Sequence, residues 1–358
     1  LMYISRFTSP DQVIFCECNG EKYLLLSDLE LDRGRSTAAV DRVLPFSTYQ
    51  ARTAGGKGDR VAVIDAFLRE HSIRRCVVPG STSAALVEAL RQRRYNVAIG
   101  SEPFYPDRLC KRASELNAIA AAQRATFQAI RLAETILRAA RIRNKFLYYR
   151  GNRLTSEYIK AELTAFLMRK GYRIPEGIIV SCGDQSINPH EMGHGPLRAH
   201  QSIIVDVFPR SDRTFYYGDA TRTFCRGMAP PALKRLYRTV MAAQALGFRL
   251  IRGGIDGKAV HTAIRQFFTS KGYRTGVIDG RRQGFFHSTG HGLGLELHEA
   301  TQRIGPAPYR LQPSHVFTVE PGLYYKGIGG IRIEDIVHVT QTGCRILGSH
   351  YPRHLEIL

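Results

Sequence analysis

The chain has 358 residues, 44% of them hydrophobic and 23% charged, the balance of a globular protein with core enough for one large domain or two ordinary ones. No apolar run approaches the ~20 residues a membrane span needs, and the opening LMYISRFTSPDQ lacks the basic start and apolar stretch of a secretion signal. The net charge of +20 is Arg-rich and spread along the chain, densest at Arg91, Arg93 and Arg94 and at Arg281 and Arg282; no basic tract interleaved with aromatics suits stacking on bases, so no specific nucleic-acid partner is expected.

VIFCEC and KYLLLS read as neighbouring strands about the turn Asn19-Gly20. DRVAVIDAFLREH follows as an amphipathic helix and RRCVVPG as a strand. STSAALVEALRQRR reads as a helix capped at Ser81, Thr82 or Ser83, and YNVAIG as another short strand. Residues 1–107 thus form a small α/β domain with Pro103 and Pro106 near its end and no catalytic constellation. From Arg112 to about Ile142 no Gly or Pro interrupts a run rich in Ala, Leu, Ile and Arg, which predicts a long helix opening a second domain, 108–358. TSEYIKAELTAFLMRKG is the next helix, capped at Thr155 or Ser156 and stopped by Gly171. ALKRLYRTVMAAQALGFRLIRGG and DGKAVHTAIRQFFTSKGY are two more. Helix, helix, strand pair occurs twice in this half, a duplication of architecture without an evident sequence repeat.

Four carboxylates stand in apolar, strand-like segments. Asp206 interrupts IIVDVFP, Asp219 closes TFYYGD, Glu320 ends HVFTVE, and Glu334 lies inside GGIRIEDIVHVT. Each costs roughly several kcal/mol to desolvate unless it is paired or coordinates a cation. One would read as a buried ion pair. Four, with His291 in a Gly-His-Gly turn, read as a metal site. Thirteen positions separate Asp206 from Asp219 and fourteen separate Glu320 from Glu334. Pro209, Ser211 and Asp212 fill the first interval, and Gly322, Gly327, Gly329 and Gly330 the second, so each pair reads as two antiparallel strands joined by a loop. Facing each other, the pairs converge their carboxylates. Oxygen donors with one imidazole suit Mn, Fe, Co or Zn, and two such ions about 3.5–4 Å apart activate water for hydrolysis. Gly290 and Gly292 are expected to let the backbone bend around His291. Taken as one strand, GIRIEDIVHV puts Arg332, Glu334, Ile336 and His338 on one face, which aims Arg332 into the cavity of Glu334 to pair with a ligand carboxylate or with that of a substrate.

In VDVFP…YYGDATRTF, FFHSTGHGLGLELHE, TVEPGLYY and GIRIEDIVHVT the chain resembles the metallopeptidases of the pita-bread fold, and most of all their Xaa-Pro branch, aminopeptidase P and prolidase, over roughly residues 108–345. The resemblance implies an α/β protein (α+β): a short creatinase-like N-terminal domain followed by a pita-bread catalytic domain. It implies two divalent ions, manganese first with Co, Zn or Fe as alternatives, held by Asp206, Asp219, His291, Glu320 and Glu334. Glu320 doubles as proton shuttle, His287 and His298 serve the substrate or the tetrahedral intermediate, and His190 binds substrate together with Arg332. The reaction implied is hydrolysis of an Xaa-Pro bond in a peptide, by a homodimer. Both the dipeptidase and the longer-peptide forms fit. The segments PRSDRTFYY and HEMGHGPLRAH are longer than in the shortest relatives and are expected to rim the site. Two other readings remain: the same metal cage acting as a lyase or amidohydrolase on a small molecule, and a metal-free binding module, which the retention of all five ligands disfavours. Seven cysteines, an odd number with no CxxC, point to reduced thiols and a cytoplasmic setting.

Overall fold

Asn19 and Gly20 both take positive φ, 51° and 81°, which suits a tight hairpin turn and folds Ile14–Cys18 back against Glu21–Leu26 as an antiparallel pair. In the computed structural model, which describes residues 1–53, 59–349 and 351–358, this hairpin opens the first of two compact units, Leu1–Pro106 and Asp107–Leu358. Glu21–Leu26 pairs in parallel with Arg42–Pro45, and a separate parallel pair joins Arg75–Val78 to Asn96–Ile99. The helices Arg60–Glu70 and Ala84–Gln92 bury Phe67, Leu68, Val87 and Leu90 against Tyr23 and Leu25. Asp59 caps the first by accepting from the Ala62 amide. Ser83 sits at the cap position of the second, but its side chain accepts no amide there.

The second unit begins with α1 (Ala113–Ala139), whose first turn is closed by the Glu115 carboxylate accepting the Arg112 amide at 2.8 Å. It stops short of Ile142 because Arg141–Arg143 turns into a strand against Phe146–Tyr149. Next comes α2 (Ser156–Arg169), with Thr155 accepting from the Tyr158 amide at 3.2 Å and Gly171 in a left-handed conformation just beyond its end. A four-stranded sheet follows, with β1 (Ile178–Cys182), β2 (Ile203–Val207) and β3 (Ala220–Arg226) antiparallel in that order and Glu356–Ile357 parallel at the edge. The buried faces of α1 and α2 pack on it through Ile130, Leu137, Ile159 and Leu163 against Val180, Val205 and Phe224.

The pattern then repeats. Pro231 starts α3 (Pro231–Leu250), Asp256 caps α4 (Gly257–Ser270), and both helices cover a five-stranded sheet. Its members are β4 (Gly290–Gly292), β5 (Glu299–Ile304), β6 (Val316–Val319), β9 (Asp335–Val339) and β10 (Cys344–Ile346), in the order β5-β4-β6-β9-β10. Between β6 and β9 stands a hairpin, β7 (Gly322–Tyr325) with β8 (Gly329–Arg332). Each half therefore has its own sheet, helix pair and core.

The segment GIRIEDIVHV is not one strand. The ladder breaks at Ile333–Glu334, where the Glu334 amide donates to the Thr221 carbonyl of the first sheet. Face parity is lost at that break. Ile336 packs with Ile119, Tyr217 and Val316 instead, and neither Ile336 nor His338 reaches the cleft that Arg332 and Glu334 share. Among the described residues, no helix is long and apolar enough to cross a membrane.

Candidate metal centre

The two sheets bring the carboxylates together from their inner strand ends. Asp206 lies on β2, and Asp219 immediately precedes β3 opposite it. Glu320 follows β6, and Glu334 precedes β9, which pairs with β6. His291 is the middle residue of β4, beside a register shift between His291 and Gly292. Neither Gly290 nor Gly292 takes a left-handed conformation, so the expected backbone freedom is not what their positions require. Close approach is: a Cβ on Gly290 would lie 1.9 Å from the Thr318 carbonyl oxygen.

Asp219, His291 and Glu334 each offer one ligand atom, and these atoms lie within 4.8 Å of one another. His291 Nε2 stands 3.6 Å from Asp219 Oδ2 and 3.6 Å from Glu320 Oε1. The Gly292 carbonyl accepts from His291 Nδ1 at 3.2 Å, which fixes the tautomer and leaves Nε2 with a lone pair aimed at two carboxylates. Burial, with the neighbouring His298, pushes the His291 pKa down to about 3, so the ring is neutral. Burial first, then the charges of Glu334, Asp206 and Glu320, pushes the Asp219 carboxyl well up; Glu334 is driven the same way by burial, Glu320 and Asp206. Glu320 is pushed up to about 8, mostly by burial. Asp206 accepts from Arg332 Nη2 at 2.7 Å through Oδ2, while its Oδ1 is buried without a hydrogen-bond partner. A neutral imidazole lone pair, a cluster of mutually repelling carboxylates and an orphaned buried oxygen are the donors a divalent cation satisfies.

Around this centre a layer of hydrogen-bonding groups fixes the ligands. Gln123 on α1 clamps the Asp219 backbone from both sides, accepting from its amide at 2.8 Å and donating to its carbonyl at 2.9 Å. Thr221 Oγ1 donates to Glu334 Oε2 at 2.6 Å. Thr318 Oγ1 accepts from the His291 amide and donates to Glu320 Oε1. Arg332 makes four bonds, to Asp206, Thr221, the Pro189 carbonyl and the Tyr324 hydroxyl, all of them protein acceptors. Burial opposes its charge, but Tyr324, Asp206 and the two glutamates hold it charged and push its pKa well up. The chain of bonds continues from the Tyr324 hydroxyl to His287 Nε2 at 3.0 Å, and His287 Nδ1 donates to the Ser288 carbonyl at 2.8 Å.

A single cleft of about 1230 Å³ is lined by all nine residues singled out in the sequence: the five ligand candidates, His190, His287, His298 and Arg332. His298 stacks edge-on against His291, ring centroids 4.2 Å apart, and His190 is exposed on the wall. Met192 from one long segment, and Arg210 and Tyr217 from the other, also line it. Gln123, Thr221, Thr318 and Tyr324 were not foreseen. Thr221 did carry a signal, since Thr221 and Thr223 alternate inside the apolar strand ATRTFCR. Tyr324 carried none that set it apart from Tyr325.

Comparison with known proteins bears on this geometry. The pattern of metallopeptidase family M24 matches residues 117–341. The chain is 36% identical over 181 residues to the uncharacterised peptidase YqhT of Bacillus subtilis (strain 168), covering 51% of this chain and 48% of that protein. It is 31% identical over 196 residues to the probable dipeptidase PepE of Mycobacterium tuberculosis (strain ATCC 25618 / H37Rv), covering 53% and 48%. The chain spans about half the length of the curated relatives it matches. Among solved structures, the Xaa-Pro dipeptidase from Bacillus anthracis superposes with a TM-score of 0.83 at 25% identity, over 100% of this chain and 92% of the other. The X-Pro aminopeptidase from Thermotoga maritima MSB8 shares the fold at a TM-score of 0.81 and 24% identity, over 100% and 93%. The architecture is thus the α/β one expected, with a pita-bread catalytic fold. Since the family pattern covers more than half its length, the chain belongs to metallopeptidase family M24.

Proposed function

We propose that the chain is a dinuclear-metal exopeptidase that cleaves the bond between an N-terminal residue and proline, in dipeptides or at the start of longer peptides. The observation that carries this reading is the convergence of Asp219, Glu320 and Glu334 on a neutral His291, in one cleft with Asp206, whose Oδ1 is buried and unpartnered. Asp206, Asp219, His291, Glu320 and Glu334 would hold two divalent ions, manganese first among Mn, Fe, Co and Zn. Bound there, divalent ions would supply electrophilic activation of water and of the scissile carbonyl. The names of the B. anthracis and T. maritima proteins support an Xaa-Pro substrate. Free cysteines throughout support a reducing, cytoplasmic setting, and the homodimer rests on the family resemblance.

The residues divide the remaining work. Glu320, with Thr318 donating to its Oε1, accepts the proton of the attacking water and delivers it to the proline nitrogen as that nitrogen leaves. His298, packed on His291 at the cleft wall, donates to the developing oxyanion. His190, exposed on the same wall, contacts the peptide. Four of the five guanidinium N–H groups of Arg332 are committed to Thr221, Pro189, Tyr324 and Asp206, so we assign it to positioning: it holds Asp206 and Tyr324. His287, a lining residue of the cleft, has both ring nitrogens engaged, by Tyr324 and by the Ser288 carbonyl, so we assign it to positioning as well. The nitrogen of a prolyl bond carries no hydrogen, so a site for this bond must recognise the ring rather than an amide N–H.

Metal-stripped protein reloaded with each ion tests the reading on Ala-Pro, Ala-Ala and Ala-Pro-Ala. A preference of at least about tenfold for proline is expected, roughly 1.4 kcal/mol in the transition state. Asp219→Ala should lose both metal and activity, and Glu320→Gln should lose several orders of magnitude in turnover. Equal rates on Ala-Pro and Ala-Ala, or no peptide hydrolysis by metal-replete protein, would overturn it.

A further inference from the structure

Besides Arg332, the cleft wall carries four guanidinium groups: Arg210, Arg265, Arg282 and Arg303. Its other carboxylates are Glu176 and Glu296. Glu176 accepts from the Tyr217 hydroxyl at 2.9 Å, and Glu296 lies 3.5 Å from Arg108, which is not part of the wall. Four positive and two negative groups leave a surplus of two, and of three once Glu296 is counted with Arg108. The centre does not cancel this surplus. Two divalent ions would balance the four ligand carboxylates, and Arg332, 2.7 Å from Asp206, brings a positive charge and no negative one.

The four arginines are not equivalent. Arg210 lies over the Phe215 ring at 5.4 Å and bonds Tyr217, and Arg303 faces His291 across the β4–β5 ladder. Arg265 and Arg282 come from elements that supply no ligand. Arg265 stands one turn after His261 on α4, whose His261 Nδ1 bonds Thr289 at 2.9 Å. Arg282 lies on the hairpin strand Arg281–Gln283, opposite Val277. Among the described residues neither side chain has an ion-pair or hydrogen-bond partner, and both face the same cleft. A guanidinium pair left unpaired on a concave wall raises the local concentration of anionic ligands and pairs well with a carboxylate. A peptide's terminal carboxylate supplies one negative charge, and its ammonium offsets that. Further surplus charge calls for an acidic side chain. The cleft is also roomier than the roughly 300–1,000 Å³ of most small-molecule sites, space enough for residues beyond the proline.

We propose that Arg265 and Arg282 form an anion subsite that selects acidic peptides, those with Asp or Glu after the proline. This deepens the exopeptidase reading and rests on it. The test compares metal-loaded protein on Ala-Pro-Glu and its near-isostere Ala-Pro-Gln. In kcat/KM the Glu peptide should win by at least about tenfold at low ionic strength, and the advantage should shrink as salt rises. In R265Q/R282Q the ratio should fall toward one, and in R265E/R282E it should turn in favour of Ala-Pro-Lys. Metal content and thermal unfolding check that the variants fold. A wild-type ratio of one or below overturns the proposal, as does a ratio that survives in the double variant. Should neither peptide be cleaved, the exopeptidase reading falls instead. Calorimetric binding of the two peptides to the same wild-type protein then decides the subsite separately: equal affinities overturn it, and tighter binding of the Glu peptide upholds it.

Discussion

Thr221 Oγ1 serves two charged groups at once, donating to Glu334 Oε2 at 2.6 Å and accepting from Arg332 Nε at 3.1 Å. Valine keeps the shape and removes both bonds. Groups that orient a metal ligand are each worth about 10–100-fold in metal affinity. Thr221→Val is therefore expected to weaken metal binding by that order in a chelator competition. Affinity within twofold of wild type would show that Glu334 needs no such support. At this scale the sequence spoke clearly about charge and faintly about everything else. A carboxylate in an apolar strand demands a partner wherever it lies, so Asp206, Asp219, Glu320 and Glu334 were visible as residues. A buried threonine or tyrosine makes no such demand. Thr318 and Tyr324 acquire their roles only from what the fold sets beside them.

Long-range clamps belong to whole elements. The helix α1 reaches the centre through Gln123, which holds both the amide and the carbonyl of Asp219. Replacing it by leucine strands two buried backbone groups, at about 1–3 kcal/mol each. Gln123→Leu should lower the thermal midpoint and weaken metal binding while helix content by circular dichroism stays near wild type. An unchanged midpoint would mean that the β2–β3 ladder alone places Asp219. The helices were legible because helix propensity, caps and Gly stops are local: Thr155 accepts the amide bond expected of it, and Gly171 turns left-handed where the stop is expected, although Ser83 caps nothing. The break at Ile333–Glu334 was not, because the group that draws the Glu334 amide out of its ladder is the Thr221 carbonyl, 113 positions away in sequence.

Across the whole catalytic unit, burial sets the pH response. His315 is buried, accepts the Gln312 amide through Nδ1 at 3.1 Å, and is pushed down to about 4 by burial and by Lys111. Its folded pKa lies below the unfolded value of about 6.5. The unfolded chain therefore binds more protons between those values, and the stability tied to a neutral His315 is present above pH ~6.5 and lost as pH falls toward 4. Glutamine keeps an acceptor and cannot titrate. The stability difference between wild type and His315→Gln, by urea unfolding, should thus move in favour of the variant as pH drops from 7 to 4.5. A difference constant with pH would mean that His315 protonates freely in the folded state.

The sequence by itself determined the helices, the five charged or imidazole ligand candidates and the pairing of Asp206 with Asp219 and Glu320 with Glu334. Those depend on local propensity, on caps and on the cost of burying charge, each of which acts within a few residues. Only the tertiary structure decided that Arg332 is spent on Asp206 and Tyr324, that Gly290 is required by the Thr318 carbonyl rather than by its own φ, and that Arg265 and Arg282 share one wall. Such facts concern which groups end up within a few ångströms after two separately built halves close on each other. No periodicity or spacing records that closure, because the contacts that set it join residues a hundred or more positions apart.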